Sequence, residues 1–362
     1  MATKTALVHD YLLVMRGAER TFSAMAEVWS DSPIYTTLYC PHGTEARFAD
    51  RTVHTSYLQR THTRQGSFRR LLPLYPSAVE RLPVHRHDVI VSSSSAFAHG
   101  VRAREGAVHV CYCHSPFRYA WHEREAALGE VARPLRPYVG RILDRIRRWD
   151  VEASKRVTHY IANSRFTQER IERYYGLEST IVHPPVATER FRPGDVEDYF
   201  LFVGELVRHK RVEIALEAAR KAGVKLKLVG TGPDIDRLRA QYAGTGEFLG
   251  RVSDDELARI YAGAQALVVP NAEEFGIAAV EAQAAGRPVI ALDRGGTSET
   301  VIDGVTGVHV EDSVSAFAEA MRHVDFCRFD QGVLTENADR YAKASFQGKL
   351  AEAVAEAVGT RS

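Results

Sequence analysis

Short apolar runs alternate with helix-patterned stretches along nearly the whole chain, and this rhythm restricts the fold more than any other feature. In the first half Thr5–Val8, Asp88–Ser92, Val108–Tyr112, His159–Ala162 and Thr180–Val182 read as strands. In the second half Tyr199–Val203, Lys225–Val229, Phe248–Leu249, Ala266–Val269 and Pro288–Leu292 do the same. Between them lie helical patterns at Ala18–Val28, from the Asn163-Ser164 cap to about Tyr175, and at Val212–Lys221. Others start at Pro233, span Asp254–Tyr261 and Gly276–Ala285, and lie near Ser298. Runs that are apolar throughout, rather than alternating, belong to parallel strands covered on both faces by helices. His183-Pro184-Pro185 interrupts the series, because two prolines can neither continue a ladder nor enter a helix interior. The expected architecture is therefore α/β, two Rossmann-like doubly wound domains facing a cleft. Residues 1–185 form the first and 186–336 the second, and 337–362 carry an amphipathic helix, Asn337–Val358, that packs back on the first. A length of 362 residues suits two domains at roughly 150 residues each. Sheets of this kind bind ligands beyond the carboxyl ends of their strands.

An apolar fraction of 45% and a charged fraction of 26% exclude a disordered or fibrous chain. With 47 basic and 46 acidic residues, nothing in the total charge asks for nucleic acid. The four cysteines include no CxxC pair, and Cys111 and Cys113 fall on one face of one strand, which is no metal-site spacing; such sparse, unpatterned usage suits a reducing cytosol. The first apolar run is broken by His9 and Asp10, so it reads as a buried strand rather than a secretory signal. No run approaches the roughly 18 apolar residues of a membrane span. A cytoplasmic protein is expected, with membrane contact only at its surface. Two basic stretches are placed for that. Arg60–Arg86 carries Arg60, Arg64, Arg69, Arg70, Arg81 and Arg86 among leucines, and Arg133–Arg148 carries six arginines and one acid beside Trp149. Their plainer reading is solvated helix faces with arginine stems lying on apolar surface. The sharper one is contact with an anionic lipid surface or a phosphate-bearing acceptor.

No GxGxxG follows the first strand and no GxxxxGKS/T occurs anywhere, so dinucleotide and P-loop readings fail. Asp234-Ile-Asp236 has the look of a metal pair but opens a helix, where acids complement the dipole; no metal site is expected. Ser92–Ser95 lacks the GxSxG of a nucleophile elbow and reads as a strand end lining the cleft. His85, His87 and His99 lack ligand spacing and read as surface or capping residues. The strongest local signal is Glu273-Glu-Phe-Gly-Ile-Ala-Ala-Val-Glu281, which follows a strand and opens a helix. Gly276 clears the helix N-terminus for a ligand, and such an end attracts phosphate while a carboxylate beside it accepts from sugar hydroxyls. Gly295-Gly296-Thr297-Ser298-Glu299 feeds a second helix start in the same region.

EEFGIAAVEAQAAGRPVIALDRGGTSETVIDGVTG resembles the C-terminal signature of retaining GT-B glycosyltransferases of family 4. HDYLLVMRGAER, CYCHSPFRYAWHE, IANSRFTQERIERYYG, IVHPPVATERF, LVGTGP and FLGRVSDDELARIYAGAQALVVP are similar to further segments of that family, so the resemblance extends over nearly the whole chain. It implies that Glu281 holds the ribose of a nucleotide-sugar donor, which is a substrate, with no cofactor required. Glu273 would contact the donor sugar, and the amides of Phe275, Gly276 and Ile277 would lie near the diphosphate. Lys210 would neutralise that diphosphate as its charge builds. Gly250, Arg251 and Val252 would line the base, His114 would sit beside the reacting sugar, and Arg16-Gly17 would close over the phosphates. His114, Glu273 and Lys210 are the catalytic expectations.

The implied reaction is metal-independent front-face transfer through an oxocarbenium-like transition state. Its acceptor would be a hydroxyl of a glycan, glycolipid or natural product. GDP-mannose is the favoured donor, from HSPFRYAW and LVRHKR, and a UDP-sugar is the second. Two departures stand out. Glu205 stands where the family usually has arginine, which implies that either Arg208 or Arg211 takes the phosphate role or phosphate binding is weaker, and Arg16-Gly17 stands where Gly-Gly is usual. The competing readings are a sugar-nucleotide epimerase of the same shape and a non-catalytic sugar-nucleotide-binding protein.

Overall fold

The computed structural model describes residues 4–61 and 68–360. They form two compact units, one of residues 1–183 with 347–362 and one of residues 184–346. The first is built on strands β1 (Thr5–His9), β2 (Ile34–Thr36), β3 (Val53–Thr55), β4 (Val89–Ser94), β5 (Val108–Cys113), β6 (His159–Ala162) and β7 (Ser179–Ile181). They pair in parallel in the order β3-β2-β1-β4-β5-β6-β7. The second unit holds β8 (Phe200–Val203), β9 (Leu226–Val229), β10 (Gly246–Gly250), β11 (Leu267–Val269), β12 (Val289–Leu292) and β13 (Gly307–Val310). Their parallel order is β10-β9-β8-β11-β12-β13. Both are doubly wound sheets, and both reverse strand order once, between β1 and β4 and between β8 and β11. Every residue of β4 and β5 is buried, which is why these strands read as unbroken apolar or small-residue runs.

Helix Arg165–Tyr175 starts where its serine cap predicts: Ser164 Oγ accepts from the Thr167 amide at 3.1 Å, and Gly176 ends it in the left-handed region. Helix Val212–Ala222 turns Val212, Ala215, Leu216 and Ala219 into a core shared with Phe317, Ala318 and Met321 of helix Val314–His323. Cys111 and Cys113 share one cluster with Tyr160, Ala162 and Ile171, and burial pushes both thiols up.

Three strands escape the sequence pattern. β2 and β3 are only three residues long, and β13 begins with Gly307, which reads as a turn. A Cβ there would lie 2.2 Å from the carbonyl oxygen of Val289 on the adjacent strand, so the glycine is a condition of pairing. The expected single helix over 337–358 is two, Gln331–Asp339 and Lys343–Gly359. Between them the Tyr341 carbonyl accepts from the Val186 amide at 2.9 Å, and that pairing breaks the helical register. From Gln347 onward the second helix belongs to the first unit, where Gln347 Nε2 donates to the Ala24 carbonyl at 3.0 Å.

Among the described residues no helix is long and apolar enough to cross a membrane. Of the first basic stretch, Arg64 lies outside the described residues. The second is sorted by the helix Arg136–Ser154. Arg136 donates to the carbonyls of Val131 and Gly129, and Arg147 donates to that of Ala120 while lying over the Trp121 ring. Arg133, Arg141, Arg145 and Arg148 are exposed and make no ion pair among the described residues.

Candidate functional site

In the second unit the loops that leave β8, β9 and β10 are packed backbone on backbone, and the β8 loop lies at the point where strand order reverses. Gly204 and Leu206 donate to the carbonyls of Val229 and Thr231, and Gly230 donates to that of Gly250. A Cβ on Gly230 would lie 1.9 Å from the Gly204 oxygen, and one on Gly232 would lie 2.2 Å from the Leu206 oxygen. The glycines of LVGTGP thus let the loop carrying Glu205–Lys210 lie flat on its neighbour.

The loop after β11 is held from its other side. The Gly296 amide donates to the Glu273 carbonyl at 2.7 Å, and a Cβ on Gly296 would sit 2.3 Å from Phe275 Cα. Gly276 has φ +93°, and a Cβ there would also press on Thr297 Cγ2 at 2.9 Å. Phe275 is buried and packs edge-on against Tyr341, so its ring anchors the loop. Helix Ile277–Ala284 follows, and its leading amides have no partner within the helix.

This scaffold brings Lys210 and Glu273 together: Nζ donates to both carboxylate oxygens, at 2.6 and 2.7 Å, with each side chain about four-fifths buried. Glu281 lies farther along the helix, where its Oε2 accepts from the Tyr261 hydroxyl at 2.8 Å. Tyr261 is fully buried, and burial together with the Glu281 charge raises its phenol well above the ordinary value, so it stays a donor. Sequence reasoning missed Tyr261, which is 20 residues from its partner and reads as an ordinary core aromatic. Gly250 closes β10 at φ +71°, Val252 joins the core beside it, and Arg251 is exposed. Of the two arginines expected to stand in for Glu205, Arg211 is committed to Asp312 and occupies the left-handed region at φ 52°. Arg208 is exposed, one residue before His209. Asp234 pairs with Arg237 at 3.3 Å.

In the first unit His114, Arg16 and Gly17 lie beyond the carboxyl ends of β5 and β1. Arg16 precedes helix Gly17–Val28, and its amide donates to Glu19 at 3.1 Å. The buried Asp10 carboxylate accepts from the amides of Ser95, Phe97 and Ala98 at 2.6–2.7 Å, fixing the loop after β4. The serine run is not a bare strand end. Ser92 Oγ meets His109 Nε2 at 2.8 Å, and Ser93 Oγ meets both His114 Nε2 at 2.8 Å and His9 Nδ1 at 3.1 Å. The surface-or-capping reading of the histidines holds for exposed His85 but fails for His99. That ring is 2% exposed, bonds Tyr160 at 3.0 Å and faces Asp150 at 3.1 Å, from the turn Ala98–Gly100 whose first amide Asp10 holds. His87 is buried yet does cap: its amide donates to the Val84 carbonyl at the end of the turn Val84–Arg86, and its ring Nδ1 lies 3.3 Å from the same oxygen.

Burial pushes His109 down to about 3 from 6.5. Its folded form is neutral through the whole range in which the unfolded chain takes up a proton, so stability rises with pH and falls below about 6.5. Between pH 7 and 5 this group alone should remove about 2 kcal/mol. Urea titrations of wild type and His109→Gln at both values check it: the variant should lose about 2 kcal/mol less, and equal losses would refute the assignment.

Residues 15–190 match the family model for Glycosyltransferase Family 4, and residues 188–340 match that for Glycosyl transferases group 1. A D-inositol 3-phosphate glycosyltransferase of Mycobacterium sp. (strain JLS) is 34% identical over 178 residues, 42% of this chain and 40% of its own. The D-rhamnosyltransferase WbpZ of Pseudomonas aeruginosa is 36% identical over 160 residues, 41% and 42% of the two chains. The match thus spans about two fifths of the length of these curated relatives. Among solved structures, Anabaena HepE in complex with UDP and glucose superposes with a TM-score of 0.71 at 17% identity, covering 98% of this chain and 100% of that one. The sucrose-phosphate synthase of Thermosynechococcus elongatus gives 0.74 at 16% identity, with 99% and 100% covered. These likenesses show the GT-B fold, two Rossmann-like domains.

Proposed function

We propose that this chain, a GT-B protein of the glycosyltransferase family 4 type, moves a sugar from a nucleoside-diphosphate sugar to a hydroxyl acceptor with retention at the anomeric carbon. One observation carries the reading. At the strand reversal of the second unit, a lysine ammonium, a glutamate and a glycine-cleared helix start are held together by backbone contacts, with a second glutamate farther along the same helix. Departure of a nucleoside diphosphate needs fixed positive charge where its own charge grows, and Lys210 with the leading amides of Ile277–Ala284 supplies that without a metal. Glu273 accepts from the donor sugar, Glu281 from the ribose, and Arg208 reaches the phosphates. In the first unit, the resemblance assigns His114 to the transferred sugar and Arg16-Gly17 to the diphosphate. The leaving phosphate oxygen takes the acceptor's proton on the face it vacates, so no enzymic nucleophile is assigned. The donor class is GDP-mannose first and UDP-sugars second, and the acceptor is a glycan, glycolipid or natural-product hydroxyl.

A thermal-shift screen with GDP, UDP, ADP, TDP and their sugar conjugates tests the donor site. A nucleotide at 100 times its dissociation constant should stabilise the fold by about 2.7 kcal/mol. Glu281→Gln should keep the fold and weaken the selected nucleotide about tenfold, since one charge-assisted bond to a ribose hydroxyl is worth roughly 1.5–3 kcal/mol. No shift with any nucleotide would sink the reading.

Peripheral membrane contact is a further part of it. Arg133, Arg141, Arg145 and Arg148 are exposed and make no ion pair among the described residues, on one stretch with Leu135 and Tyr138, which are 56% and 65% exposed. Cations beside an exposed leucine and tyrosine suit an anionic lipid interface. Flotation should recover the chain with vesicles containing phosphatidylglycerol and not with pure phosphatidylcholine. The triple change of Arg141, Arg145 and Arg148 to glutamate should abolish recovery; unchanged flotation would refute the surface.

A further inference from the structure

His114 is the one catalytic expectation whose chemistry depends on where a proton sits, since either ring nitrogen of a neutral imidazole can carry it. Its backbone is already fixed. The amide donates to the Ser94 carbonyl at 2.8 Å, and its own carbonyl accepts from Asn163 Nδ2 at 3.1 Å and Thr167 Oγ1 at 3.2 Å. The ring and that of Tyr112 pack in a T-shape with centroids 5.2 Å apart. A buried line runs from the ring: His114 Nε2, Ser93 Oγ, His9 Nδ1, and beyond His9 Nε2 the Glu19 carboxylate at 4.0 Å. Ser93 is fully buried, His9 is 2% exposed and Glu19 5%.

We infer that Ser93 and His9 are positioning residues that set the tautomer of His114, placing its proton on Nε2 and its lone pair on Nδ1. The serine hydroxyl has one proton and two imidazole nitrogens in reach, so it donates to one ring and accepts from the other. Glu19 decides which. Its carboxylate lies 4.0 Å from His9 Nε2, beyond hydrogen-bond reach, and its negative charge favours the neutral tautomer that carries the proton on that nitrogen and the lone pair on Nδ1. Of the other charged group nearby, the Asp10 carboxylate is turned to the amides of Ser95, Phe97 and Ala98, and stacking on Phe22 at 4.7 Å holds the His9 plane. Ser93 therefore donates to His9 and accepts from His114 Nε2–H. Glu19 also accepts from the Arg16 amide, which ties the first loop to the same line. An imidazole with its lone pair on Nδ1 accepts from a hydroxyl of the sugar; the other tautomer would donate to it.

The consequence for transfer rests on the proposed placement of His114 beside the transferred sugar, whereas the tautomer does not. The test uses the full chain labelled with ¹⁵N-histidine, His114 being assigned by the signal lost in His114→Gln. Wild type should show the Nε2–H pattern, and Ser93→Ala should shift it toward a mixture. With donor and acceptor, Ser93→Ala and His9→Phe should lower kcat about 10- to 100-fold with donor KM within about threefold, as loss of a correctly placed proton acceptor does. His9→Asn, which returns an acceptor oxygen near the position of Nδ1, should recover most of the rate. An Nδ1–H pattern in wild type, or a pattern unchanged in Ser93→Ala, overturns the assignment. A correct pattern with unchanged kcat in Ser93→Ala, or equal loss in His9→Phe and His9→Asn, overturns the positioning role. Absence of any transfer by wild type instead refutes the proposed function, and the histidine spectra still decide the tautomer.

Discussion

Replacing Lys210 by methionine is expected to lower kcat by about 10²–10³-fold, the cost of removing one preorganised charge from a developing oxyanion. The side chain keeps an apolar stem of the same length out to Cε and loses the ammonium. In the folded protein that ammonium is not searching for its position. Both oxygens of Glu273 hold it, at 2.6 and 2.7 Å, and the left-handed residue Arg211 ends the short turn that carries it. The charge therefore meets the diphosphate already oriented. The loss should appear mainly in kcat, since the leaving group gains charge between ground and transition state. Glu273→Gln should do less harm to nucleotide affinity than Lys210→Met, because the lysine bears on phosphate and the glutamate on the sugar. A rate for Lys210→Met within threefold of wild type would remove Lys210 from the reacting centre. Thermal melts of both variants guard against misreading a folding defect, because a pair with each partner about one-fifth exposed loses part of its worth to solvent.

Gly296→Ala should be as damaging without touching any charged group. The added carbon would stand 2.3 Å from Phe275 Cα and 2.4 Å from the Glu274 oxygen, backbone atoms that no rotamer change can clear. The loop bearing Glu273 must move, or the turn at Gly295-Gly296 must, and either breaks the Gly296 amide's bond to the Glu273 carbonyl. Overpacking of this kind costs about 1–3 kcal/mol. The stronger effect is on the site, where a shift of about 1 Å is enough to cost roughly 10²-fold in rate. Gly348→Ala is the control: it lies inside helix Lys343–Gly359, a Cβ there meets nothing, and it should be neutral or stabilise by up to about 1 kcal/mol. Equal melting temperatures and equal activity for wild type and Gly296→Ala would show that the two loops are not braced as described.

The sheets and the glutamate loop were readable because their signals are local. β4, β5, β8 and β9 are short runs buried on both sides, and Glu273 to Glu281 spans one loop and one helix. What escaped was set by partners far along the chain. Nothing near His9 announces that its ring will meet a serine 84 residues later, and the serine run looked inert because a nucleophile elbow was the only role its spacing could be tested against. The break at Arg340–Ala342 has neither glycine nor proline to mark it; it is imposed by Val186 from outside the helix. Arg208 and Arg211 look alike in LVRHKR, and only Asp312, 101 residues away, distinguishes them.

The last helix makes the first unit discontinuous in sequence, and that has a cost in time during synthesis. Residues 1–183 leave the ribosome roughly 160 residues before Gln347 does. At about 5–20 residues per second this is an interval of roughly 10–30 s. Throughout it, the surface that residues 347–360 will cover stands open, and Leu350 and Ala353, buried in the finished protein, are not yet available to close it. The second unit, continuous from Pro184 to Phe346, has no such wait. The half made first is therefore the half finished last, and a fragment cut at the boundary between them would carry that exposed face permanently.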